Sequence, residues 1–156
     1  VSVKLSEYTP VTHPLFPRPE NDEEEEYECP VPGMEDVWVR VVPPSWGVDR
    51  DRQQFVNGWH ADQRLSVFDV AQYEIALCYG GSNMVVMTMK RDENGRYVFT
   101  DEEPGYEYET VKFDVRGQLS VEEVLARISK LPRAIVEAWH SRTLEVAPNW
   151  NTKFRQ

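Results

Sequence analysis

Alternation sets the first element. Between residues 36 and 42, Val37, Val39 and Val41 interleave with Trp38, Arg40 and Val42, the period of a strand with one β-branched face. Pro43 and Pro44 end it, and Ser45–Asp49 reads as a connection. Asp49 is placed to cap a helix over Arg50–Trp59, with Phe55, Val56 and Trp59 as its apolar anchors and Gly58 weakening its end. A firmer helix is expected over Leu65–Tyr79, where Val70, Tyr73, Ala76 and Leu77 recur at helical spacing. Ser66 and Asp69 form a capping box with Asp in place of the usual Glu, and Gly80-Gly81 reads as the stop.

Met84–Met89 is an apolar run of strand length. It leads through Asp92-Glu93-Asn94-Gly95 into Arg96–Thr100, which predicts a β-hairpin with Asn-Gly in its turn. Residues 101–117 carry Pro104-Gly105 and many charges and read as irregular. Helical character returns at Ser120, an N-cap with Glu123 three residues on, and continues to about Lys130 with Val124, Leu125, Ile128 and Leu131 as its stripe. Pro132 suits the first turn of a last helix over 133–146, whose apolar side is Ile135, Val136, Trp139 and Leu144; Pro148 closes it. The expected fold is α+β: a small single domain with a short strand, a β-hairpin and about four helices.

Composition changes the picture at the front. Residues 1–30 hold Glu7, Glu20, Asp22, Glu23, Glu24, Glu25, Glu26 and Glu28 against only Lys4 and Arg18, in a chain whose net charge is −10. Pro10, Pro14, Pro17, Pro19, Pro30 and Pro32 favour extended geometry there, and the Glu23–Glu26 run repels itself. The expected organisation is therefore an acidic extended or disordered arm over 1–33, with Val1–Leu5 as its only regular piece. A globular domain follows over 34–150, then a tail over 151–156. An acidic surface argues against broad binding to nucleic acid or anionic membranes. No apolar run nears the roughly 18 residues of a membrane span, and the start lacks the basic and apolar regions of a secretory leader. With two cysteines, Cys29 and Cys78, the reading is a reduced intracellular chain.

Chemistry finds little purchase. Cys29, Cys78, His13, His60 and His140 show no metal-ligand spacing. Cys78 sits at a helix end among Ala76, Leu77 and Tyr79, as a small buried thiol does, and no GxSxG elbow or phosphate loop accompanies Gly80-Gly81-Ser82. Asp92-Glu93 belongs to a turn. Asp101-Glu102-Glu103 offers oxygen ligands without a rigid frame or a neighbouring base. The reading is a non-enzyme with no metal and no cofactor. What remains is recognition: Ile128, Ile135, Trp139 and Trp150 as apolar anchors for a protein partner, and Glu23, Glu24, Glu25 and Glu26 as a charged contact.

The order of elements resembles the tail assembly chaperones of long-tailed bacteriophages over about residues 36–150. The matching pieces are the strand Val37-Trp38-Val39-Arg40-Val41, a central helix, and the hairpin TMKRDENGRYVFTDEE at 88–103. After them come SVEEVLARISKLP at 120–132 and AIVEAWHSRTLEVAPNW at 134–150. The resemblance implies a protein of the infected host cytoplasm that binds the tape measure protein, keeps it soluble and aids assembly of the tail tube. Two other readings stand beside it. One is a structural virion protein, a connector or minor tail component, whose arm clasps a neighbour and which forms a homo-oligomer. The other is an acidic regulatory or inhibitor module that covers a basic partner.

Overall fold

A computed structural model describes residues 9–17, 28–62, 66–103 and 105–150. The chain is a small single α+β domain. It runs β1 (Val11–Pro14), β2 (Trp38–Val41), α1 (Trp46–Asp62), α2 (Val67–Leu77), β3 (Tyr79–Ser82), β4 (Val85–Met89), β5 (Tyr108–Lys112), α3 (Val121–Ile128) and α4 (Arg133–Val146), closed by a 3-10 turn at Pro148–Trp150.

Three antiparallel strands lie in the order β1-β2-β3, and β4 and β5 form a separate antiparallel ribbon. The two sheets are stitched together where Ser82 donates to the Asp114 carbonyl at 2.8 Å and Phe113 to that of Met84 at 3.2 Å. Residues 79–89 thus act as one long strand interrupted at Asn83. The Asn83 side chain binds back to β2, accepting from Trp38 N–H at 2.9 Å and donating to the Asp36 carbonyl at 3.0 Å.

The alternation read in β2 is real: Val39 and Val41 are fully buried. Both capping boxes form as expected, Ser66 with Asp69 opening α2 and Ser120 with Glu123 opening α3. At the centre Trp139 of α4 is 1 % exposed, with Phe113 at 4.9 Å and Tyr79 at 6.0 Å between ring centroids. Burying such aromatic area is the main source of stability in a domain of this size.

Five expectations need correction. Part of the presumed arm belongs to the body: Val11–Pro14 pairs with β2 from Val11↔Val41 to Pro14↔Trp38, and Leu15 is in the core. The extended geometry read from the prolines is present there, but as a strand paired into the sheet. The expected pieces at Val1–Leu5 and Glu23–Glu26, and the tail 151–156, lie outside the described residues. Helix α1 starts earlier than Asp49, because Ser45 takes up the first orphan N–H groups: Val48 donates to its Oγ at 3.3 Å and Asp49 to its carbonyl at 2.9 Å.

Gly80-Gly81 is not merely a stop but the middle of β3, all four of whose residues are buried. Glycine is needed because backbones cross there. A Cβ on Gly117, at φ +72°, would sit 2.5 Å from the Gly80 carbonyl oxygen. The Asp92–Gly95 turn forms, with Asp92 N–H on the Arg96 carbonyl at 2.8 Å, but the expected return strand Arg96–Thr100 makes only the isolated bridges Arg91↔Tyr97 and Phe99↔Tyr106. The true partner of β4 is β5, from Val85↔Lys112 to Met89↔Tyr108, inside the stretch read as irregular.

Candidate partner-binding surfaces

Among the described residues, Cys78, Tyr79 and Asp114 have shifted titrations, each with a structural cause. Cys78 is buried, and burial, with Glu74 and Asp49 nearby, pushes its thiol up to about 12, so it stays protonated and unreactive. The Tyr79 hydroxyl donates to the Asp114 carboxylate and accepts from Asp114 N–H at 3.1 Å, while Gln118 N–H donates to the same carboxylate at 2.6 Å. Burial pulls the Asp114 carboxyl upward, but these hydrogen bonds win and hold it below the ordinary value. For Tyr79, burial first and the carboxylate second drive the phenol well above its ordinary value. The pair fixes the loop that crosses Gly80. Among the described residues no three His, Cys, Asp or Glu side chains gather as metal ligands, and no helix is long and apolar enough to cross a membrane.

A second buried network ties the helices together. Arg52 of α1 and Glu74 of α2 are both buried, with Nε to Oε2 at 3.0 Å; Arg52 also donates to the Trp150 carbonyl at 3.3 Å. The other Glu74 oxygen meets His140 Nε2 of α4 at 2.7 Å, and the Trp150 indole N–H donates to Asp49 at 2.9 Å. Sequence reading missed Glu74. The signal was a carboxylate four residues after Val70, on a face that otherwise reads as apolar.

The helix-corner anchors are core residues, and of the four only Ile128 also lines a surface groove. Ile128, Ile135, Trp139 and Trp150 are all buried in the core, so as partner anchors they are corrected: their side chains are already satisfied by the domain's own packing. The acidic candidates Glu23, Glu24, Glu25 and Glu26 lie outside the described residues.

The same corner nonetheless offers a surface. Between α2 and the α3–α4 turn lies an open groove of about 300 Å³, with Phe68, Ala71 and Gln72 on one wall, Ile128, Ser129 and Leu131 at its end, and Val136, Glu137 and His140 opposite. Phe68 stands 61 % exposed on the rim, with the Arg133 guanidinium 5.6 Å from its ring centre. Arg133 is itself held by Glu137 at 2.6 Å, giving a polar rim around an apolar floor. His140 faces this groove while anchored from behind by Glu74 and, through it, Arg52. The groove is therefore built on rigid helices.

A second apolar surface is the ribbon. Val85 and Met87 project from β4, and Tyr97, Phe99 and Tyr108 from the strands and tip around it; all are exposed. No family model, no curated protein and no solved structure matches this chain.

Proposed function

We propose that this chain is a non-enzymatic phage tail assembly chaperone that binds the tape measure protein in the host cytoplasm and aids tail tube assembly. The observation that carries the reading is the groove at the helix corner, with Phe68, Leu131 and Val136 presenting apolar surface inside a polar rim. A tape measure protein is a long helical chain whose apolar stripe is unprotected until the tube encloses it. A helix laid in such a groove inserts side chains at three- and four-residue spacing, and the groove supplies a floor for them. The net charge of −10 keeps the complex dispersed while that stripe is covered. The sequence resemblance over 36–150 supports the same partner.

The test is co-expression with the tape measure protein of the genome that encodes this chain. The natural chain carries that protein into the soluble fraction, and Phe68→Asp, a change at an exposed rim position, abolishes the effect while circular dichroism stays native. Equal solubility with Phe68→Asp contradicts the reading, and so does a purified chain that closes into a stable ring, the behaviour of a virion component.

A further inference from the structure

We propose that the cleft between β5 and α3 binds a single phosphate group, held by Lys112, Arg127 and Lys130. The proposal does not depend on the tape measure reading, and the cleft shares no lining residue with the helix groove.

The cleft holds about 300 Å³ and is lined by Thr110, Val111 and Lys112 on one side and Ala126, Arg127 and Lys130 on the other. Three cations and no carboxylate line it, in a chain whose net charge is −10. The register of the ribbon adds two backbone donors. Phe113 N–H on the Met84 carbonyl at 3.2 Å and Lys90 N–H on that of Glu107 at 2.8 Å make the odd-numbered residues of β5 the ones bonded to β4. In an antiparallel ladder the N–H and C=O of Thr110 and Lys112 therefore point away from β4. That side faces α3, because Arg127 Nε donates to the Lys112 carbonyl at 2.9 Å. Neither the Thr110 nor the Lys112 N–H has a hydrogen-bond partner among the described residues.

Closing the end of α3 does not require these cations. Its last carbonyls are already satisfied: Leu125 accepts from Ser129 N–H at 3.1 Å, Ala126 from the Ser129 hydroxyl at 2.8 Å, Arg127 from Lys130 N–H at 3.1 Å and Ile128 from Leu131 N–H at 3.0 Å. Lys112 is exposed and has no ion pair among the described residues. Arg127 also donates through Nη1 to the Glu123 carbonyl at 3.1 Å, which fixes the guanidinium beside the cleft and leaves Nη2 open. Lys130 lies 3.0 Å from Glu109, with the two side chains 51 % and 32 % exposed. Solvent screens a pair of that kind, so an incoming anion can share the ammonium.

A fixed guanidinium, two ammonium groups and two backbone N–H groups suit an oxyanion with several acceptor oxygens. They outnumber the one open acceptor beside them, the Thr110 carbonyl. A long polyanion is disfavoured because the chain as a whole is acidic, which limits the ligand to one compact charged group. Free phosphate and a phosphomonoester present the same oxygens. The cleft is open to solvent, so the expected dissociation constant is about 1 mM.

The test is amide NMR of the full chain titrated with inorganic phosphate and, separately, with O-phosphoserine, at ionic strength held constant with sodium chloride. Saturable shifts of the Thr110 and Lys112 N–H and of the Arg127 Nε–H are expected with at least one probe, and the tighter probe names the source. Lys112→Ala combined with Lys130→Ala, both exposed changes, should weaken binding by about tenfold or more, with amide dispersion elsewhere native. Arg50→Ala, an exposed cation on α1, should leave it unchanged. Shifts that do not saturate, or that sodium chloride alone reproduces, overturn the proposal by reducing it to screening. So does binding indifferent to the double change, or weakened as much by Arg50→Ala.

Discussion

Two aromatic triads, one at the centre of the domain and one at the tip of the ribbon, invite comparison. Tyr79, Phe113 and Trp139 meet with centroids 4.9 to 6.1 Å apart and are buried. Tyr97, Phe99 and Tyr106 meet at nearly the same spacings, 5.0 Å and 6.1 Å, at the tip of the ribbon, where Phe99 is 71 % exposed. Their chemistry is alike and their surroundings are not. The first triad is backed by α4, β3 and the start of the loop after β5; the second has only two isolated bridges behind it. Aromatic content therefore does two jobs here, and it is the number of elements converging on a ring that assigns the job.

The largest effect that sharpens this contrast is Trp139→Ala. It removes the best-buried aromatic and should cost about 3–5 kcal/mol, read as a large drop in urea midpoint. Close behind is Glu74→Ala, which leaves Arg52 buried without its carboxylate. The expected cost is again about 3–5 kcal/mol, with loss of the Trp150 docking signal in near-ultraviolet circular dichroism.

Tyr79→Phe is milder. It removes one hydrogen bond to a carboxylate, roughly 1.5–3 kcal/mol by general measure, and changes the acid limb. Because the folded-state carboxyl of Asp114 lies below its ordinary value of about 3.9, its contribution is complete above that value and is lost as pH falls through the lowered one. Without the Tyr79 hydroxyl the Asp114 carboxyl rises, so the stability–pH curve below about pH 4 should flatten. Phe99→Ala, at the tip, should shift stability by less than about 0.5 kcal/mol. A loss as large as that of Trp139→Ala would erase the distinction between the two triads.

What sequence made legible was local. The Ser66–Asp69 and Ser120–Glu123 boxes, the alternation in β2 and the Asp92–Gly95 turn each depend on neighbours within four residues, and each is found. What it hid was non-local. Tyr108–Lys112 mixes Glu, Thr and Lys with a single buried residue, Val111, and becomes a strand only because β4 lies beside it. Gly80-Gly81 carries no side chains to show a period, yet it is the place where Gly117 must pass. The same blindness affected the candidate site. The apolar stripe of 120–146 was legible, but whether it faced inward or outward depended on the elements that pack on it, α2 among them, with Tyr79 and Phe113 meeting Trp139. The groove itself is made by residues from three elements and has no linear signature; Phe68, its most exposed apolar member, looked like one more apolar residue at a helix start.

The central claim is that the corner between α2 and the α3–α4 turn is the partner-binding surface. Hydrogen exchange of the chain, alone and co-purified with the tape measure protein, tests it most directly. The account predicts slowed exchange in 67–72 and 129–140 on complex formation, with the ribbon tip around Phe99 unchanged. Protection confined to the ribbon, or exchange at the corner identical with and without the partner, contradicts it.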